Sequence, residues 1–186
     1  MSFNREIEKK ALALLEQCSQ TQPAIDVESI SRQTGVNLHR EQLDDQVSGM
    51  LVVKAKAKHI IINKLHHPNR QRFTIAHELG HLMLHHKAGD KVFLDTSMSV
   101  YKRAGVPGAS TYSRPDSTTT PEQEREANLF AASLLMPRDV LLNYIEEQDI
   151  DLDDEFDISR LASVFEVSEQ AMYIRLSYLE LIQSAY

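Results

Sequence analysis

The sequence contains one cysteine, Cys18, no tryptophan, only six glycines in 186 residues, and no long apolar run. A lone cysteine excludes an internal disulfide and a thiolate zinc cluster, and suits a reducing, cytoplasmic setting. Cys18 itself reads as a small core-facing residue of the first helix, not a nucleophile. No apolar stretch approaches the roughly 18 residues of a membrane span. The charged start, Met1-Ser-Phe-Asn-Arg-Glu-Ile-Glu-Lys-Lys10, lacks a signal-peptide apolar block. Basic residues are scarce near the end. From Arg138 onward there are 12 acids and 3 bases; with −7 on the whole chain, the first 137 residues carry +2. An acidic third neutralises a phosphate backbone poorly, so direct nucleic-acid binding is not expected.

An apolar fraction of 42% is enough for a core. The pattern predicts an α+β protein with a small three-stranded sheet packed on a helical core. Phe3–Cys18 has one apolar stripe of helical period, and Asp26 can cap a short helix, Val27–Thr34, closed by Gly35. Val36–His39, Gln46–Val53 and His59–Asn63 read as strands, the last two joined at the basic turn Lys54-Ala55-Lys56-Ala57-Lys58, a solvated hairpin tip. Residues 95–120 are rich in Ser, Thr, Gly and Pro without period. They read as a long mobile insert, either a lid over a cleft or a disordered insertion. Thr120-Pro121-Glu122-Gln123 is a helix start, with Thr as N-cap and Gln closing a capping box; this helix runs to Leu135. Residues 1–137 form the expected core domain. Residues 138–186 form a C-terminal helical subdomain packed on it. Within that subdomain, Asp157 caps Ile158–Phe165 and Ser168 caps Glu169–Gln183, with helix-turn-helix-like spacing. The acidic run Asp149–Asp157 lacks the glycine of a calcium loop and reads as a solvated connector.

The chemistry concentrates in a helix at Arg70–His86, capped by Asn69, which contains His77-Glu78-Leu79-Gly80-His81. Spacing i, i+4 sets both imidazoles on one face, one turn apart, where two ring nitrogens can share one zinc ion. Glu78 is placed to take a proton from a water at that ion. The surrounding Phe73, Ile75, Ala76, Leu79, Leu82 and Leu84 are apolar, so the polar trio is buried and requires partners. His85 continues the series but lies about 12 Å along the axis from His77, too far to join the same ion. Gly80 costs about 1 kcal/mol relative to alanine, a cost explained by close approach of another element.

A catalytic zinc takes a third protein ligand. On the second helix, at about 100° per residue, Glu124 lies roughly 50° from the centre of the apolar face Ala127, Phe130, Ala131, Leu134, and Glu126 about 110° away. Glu124 is therefore the expected ligand and Glu126 the alternative. Asn128, at i+4 from Glu124, stacks on the same side and can hydrogen-bond a ligand histidine.

The stretch Arg72-Phe-Thr-Ile-Ala-His-Glu-Leu-Gly-His-Leu-Met-Leu-His85, followed by Glu124-Arg-Glu-Ala-Asn-Leu-Phe-Ala-Ala-Ser-Leu-Leu-Met-Pro137, resembles the ImmA/IrrE family of zinc metallopeptidases, which are gluzincin-like. Weaker similarity extends through Ile60-Ile-Ile-Asn63 and Leu161-Ala-Ser-Val-Phe-Glu-Val-Ser-Glu-Gln-Ala-Met172. The resemblance implies a zincin-like core, one Zn2+, and a site-specific cut in a helix-turn-helix transcriptional repressor. The spacer between the two motifs is longer than usual for the family, mostly at 95–120. For the donor that stabilises the oxyanion, Tyr101, Tyr112 and His85 are candidates. The strand His59–Asn63 is a candidate for holding substrate by strand addition. The competing reading is a regulator that sequesters its partner without cutting it; the intact Glu78 argues against that, since a structural metal requires no general base.

Overall fold

The computed structural model describes residues 2–54, 56–85, 91–94 and 119–183. Helix α1, Ser2–Gln17, buries Ile7, Ala11, Leu14 and Leu15 on one stripe, with Cys18 just beyond its end also buried. Helix α2, Val27–Gln33, is capped by Asp26, which accepts from Ser29 N at 2.8 Å. Gly35 follows at φ 73°, left-handed backbone that glycine adopts without steric cost.

Strands β1 (Val36–Glu41), β2 (Gly49–Lys54) and β3 (Ala57–Asn63) are the three expected strands with boundaries shifted by a few residues. A fourth, β4 (Lys91–Leu94), joins them; at four residues it is too short to show alternation in sequence. The order is β1-β3-β2-β4. β1 runs parallel to β3, while β2 is antiparallel to both β3 and β4. This order corrects the strand-addition expectation: β3 is interior and paired on both sides, so His59–Asn63 has no open edge for a substrate strand.

Val36, Leu51, Val53, Ile60 and Ile62 turn one sheet face toward helix α3, Pro68–His85, and join Ile75 and Leu79 in the core. Period-two alternation sends the intervening side chains to the other face. Helix α4, Pro121–Leu135, begins with the expected capping box on Thr120 and Gln123. Its stripe Ala127, Phe130, Ala131 and Leu134 is fully buried, each large side chain contributing about 1.5–3 kcal/mol.

Helices α5 (Arg138–Glu147), α6 (Glu155–Val164) and α7 (Glu169–Tyr178) follow. Their Leu141, Leu161, Met172 and Leu176, with Phe165 just past the end of α6, belong to the same apolar cluster as α1, α3 and α4. Two expected caps are corrected. Asp154, not Asp157, caps α6 by accepting from Phe156 N, and Asp157 accepts from Asp151 N in the first turn. α3 starts at Pro68, so Asn69 lies inside its first turn; the Asn69 amide donates to Val167 O at 2.9 Å. Several acceptors compete at the α6 start, and at α3 a long-range bond to Val167 claims the Asn69 amide. α7 stops at Tyr178, short of Gln183, where Glu180 turns to φ 59°.

Two arginines lock this end of the fold. Arg72 of α3 reaches Glu166 at 3.0 Å and donates to Ile25 O at 2.9 Å, tying the α6–α7 turn to the approach to α2. Arg175 of α7 is 1% exposed and donates to Met136 O and to Glu8 at 2.7 Å. It is the only base on α7, and it points into the protein.

Candidate metal centre

Helices α3 and α4 cross at Gly80. A Cβ built there would lie 3.1 Å from both Cα and O of Ala127 and 3.3 Å from Cβ of Phe130. A hydrogen in that place lets the two backbones approach this closely without any neighbour giving way. The approach carries the carboxylate of α4 to the imidazoles of α3.

The result is a three-residue cluster of His77, His81 and Glu124, whose candidate donor atoms all lie within 4.8 Å of one another. His77 Nε2 and His81 Nε2 are 3.0 Å apart. Glu124 Oε2 is 3.2 Å from the first, and its Oε1 is 3.4 Å from the second. Donors held about 2.0–2.1 Å from one tetrahedral ion stand roughly 3.3 Å apart, so the observed spacing suits a single zinc. Tautomers support the fit. His77 Nδ1 lies 3.0 Å from Asn128 Oδ1, and a proton donated there leaves the Nε2 lone pair facing the cluster. Two ring nitrogens and a carboxylate this close repel unless a cation stands among them. A proton serves one pair; a metal ion serves all three.

His77 is 4% exposed, Glu78 0% and His81 1%. Glu124 retains 29% side-chain exposure, the most of the three. Burial works to raise the Glu124 pKa. Polar contacts with His77, His81 and Thr119 outweigh it and hold the carboxylate well below its ordinary range. Glu124 is thus an anion at neutral pH, the form a cation requires. Thr119 is a partner that sequence reasoning missed; within the run Thr118-Thr119-Thr120 nothing marks it out.

Glu126, the alternative to Glu124, sits elsewhere: its Oε2 is 3.4 Å from His85 Nε2. Burial and Glu122 raise its pKa. Burial, then His81, lowers that of His85, whose ring centroid is 5.5 Å from that of His81. His85 therefore faces Glu126 beside the cluster and outside it. Tyr101, Tyr112 and the insert from 95 to 118 lie outside the described residues. Alongside Asn128 a cavity of about 1290 Å³ is bounded by Phe73, Leu129, Ala132, Ile174 and Tyr178; none of the three donors lines it.

A mixed sheet backed by an H-E-x-x-H helix, crossed by a helix bearing a carboxylate, is a zincin-like architecture. The sequence matches the family described as Peptidase_M78, IrrE N-terminal-like domain, over residues 31–177, and the chain belongs to that family. Among curated proteins, none matches it significantly. A solved Mycobacterium tuberculosis transcriptional regulator has a similar fold, with a TM-score of 0.60 at 16% identity, over 93% of this chain and 46% of that one. The present chain thus spans about half of that regulator, and the likeness concerns the fold alone. No described helix is long and apolar enough to cross a membrane.

Proposed function

We propose that this protein is a zinc-dependent endopeptidase that makes a site-specific cut in a cytoplasmic protein partner, a transcriptional repressor of the helix-turn-helix type. The observation that carries the reading is the donor set His77, His81 and Glu124 at 3.0–3.4 Å, with Glu78 buried next to the first donor. Membership of a peptidase family supports it.

In this reading His77, His81 and Glu124 hold the ion, and Asn128 keeps His77 in the tautomer that offers Nε2. A bound zinc supplies Lewis acidity, which acidifies water and polarises a carbonyl. Glu78 accepts a proton from the attacking water as its oxygen bonds to the scissile carbonyl carbon. It then delivers that proton to the amine nitrogen as the C–N bond breaks. The apolar walls around Glu78 raise the strength of each charge interaction there by excluding water. DNA reading is disfavoured by the inward course of Arg175, the single base of α7, since a recognition helix requires cations facing outward.

The experiment co-expresses the protein with candidate helix-turn-helix repressors and maps products by mass spectrometry. Wild type cuts one partner at one bond. Glu78→Gln retains zinc and loses about 10²–10⁴ in rate, the scale of a general base. Unchanged cleavage by Glu78→Gln, or cleavage persisting in a strong chelator, would overturn the assignment.

A further inference from the structure

A second pair of imidazoles lies away from α3. His39 of β1 and His59 of β3 sit on adjacent parallel strands, where Asn37 pairs with His59 and His39 with Ile61. His39 Nε2 and His59 Nδ1 are 2.9 Å apart, with ring centroids 5.2 Å apart and planes inclined at 30°. Ile60, the neighbour of His59, points into the core with α3. Alternation along the strand therefore sends His59 to the opposite face of the sheet.

We propose that His39 and His59 form a separate two-imidazole site for a divalent metal of square-planar preference, Cu2+ or Ni2+, with solvent completing the coordination. What distinguishes it from the zinc-type centre is the donor set: two imidazoles, joined by no third His, Cys, Asp or Glu donor among the described residues. Two nitrogens bonded at about 2.0 Å and cis at a right angle stand roughly 2.8–2.9 Å apart. The observed 2.9 Å matches the cis pair. Imidazole suits both ions, and Cu2+ is the tighter of the two in the general order of affinities. Burial, then His39, lowers the His59 pKa, which favours the neutral ring a metal requires. His39 is exposed and His59 half-buried, so an ion reaches them without opening the fold. Bound there, it would tie edge strand β1 to interior strand β3. The competing arrangement is one N–H···N hydrogen bond between the rings, which takes up no metal.

The test uses the full chain loaded with one equivalent of Zn2+ and titrated with Cu2+, followed by electron paramagnetic resonance and by a dye that reports released zinc. The expected result is a tetragonal Cu2+ species with nitrogen couplings from two imidazoles, formed without zinc release. His39→Asn and His59→Asn each weaken that species at least about tenfold, while His67→Asn leaves it unchanged. Thermal melts matching wild type show that the variants fold. Copper uptake that is matched by zinc release, or that is unaffected by either substitution, overturns the proposal, as does the absence of any two-nitrogen species.

Discussion

Replacing Gly80 with alanine tests whether the helix crossing builds the metal centre. The added methyl would lie 3.1 Å from the Ala127 backbone and 3.3 Å from Phe130 Cβ. Carbon contacts are comfortable at about 3.5–4.0 Å, so α4 has to give by a few tenths of an ångström. Two energies oppose each other. Alanine gains about 1 kcal/mol in helix propensity over glycine, while overpacking a tight contact costs about 1–3 kcal/mol. The net expectation for the metal-free protein is destabilisation of about 0–2 kcal/mol. The larger effect falls on zinc. Glu124 moves with α4, and the 3.2 and 3.4 Å separations widen beyond what one tetrahedral ion spans. Zinc affinity should fall about 10–100-fold, the scale seen when support for a ligand is disturbed. Competition with a chromophoric chelator measures the affinity, and urea melts of the metal-free protein measure the stability. If Gly80→Ala stabilised the metal-free protein by the full propensity gain and left zinc affinity intact, the crossing would have slack and the reasoning would fail.

Three further outcomes follow from the same geometry. At Gly49 a Cβ would fall 2.5 Å from Thr74 Cγ2 and 2.8 Å from Ile61 O, so Gly49→Ala should cost about 2–3 kcal/mol in a urea melt; Thr74→Ser, which deletes that methyl, should recover part of the loss. Glu124→Ala should weaken zinc more than about 100-fold while Glu126→Ala leaves it within about threefold; the reverse ranking in a chelator competition would transfer the ligand role to Glu126. Acid stability should follow Glu124, whose pKa is depressed from its ordinary 4.5. Its contribution is present above that value and is lost as the pH falls below it, so a urea-melt pH series on metal-free wild type should decline there, and Glu124→Gln should flatten part of the decline.

Local signals carried much of this protein. H-E-x-x-H encodes its own geometry, because four residues of helix set both imidazoles on one face whatever lies around them. The capping box at Thr120 and Gln123 and the caps at Asp26 and Ser168 are likewise short-range hydrogen bonds. The apolar stripe of α4 pointed Glu124 inward by rotation alone. Where several local partners compete, sequence reasoning had no means of choosing: Asp154 prevailed over Asp157, and Asn69 bonded to Val167 instead of capping α3.

The sequence by itself determined which residues could bind a metal and on which helix faces they stand, since helical period and capping depend on neighbours a few positions away. Only the tertiary structure decided that those faces meet. The Gly80–Ala127 approach, the interior place of β3, the inward course of Arg175 and the pairing of Glu126 with His85 join residues from different elements. Those encounters are set by packing of the whole core, which no local window contains.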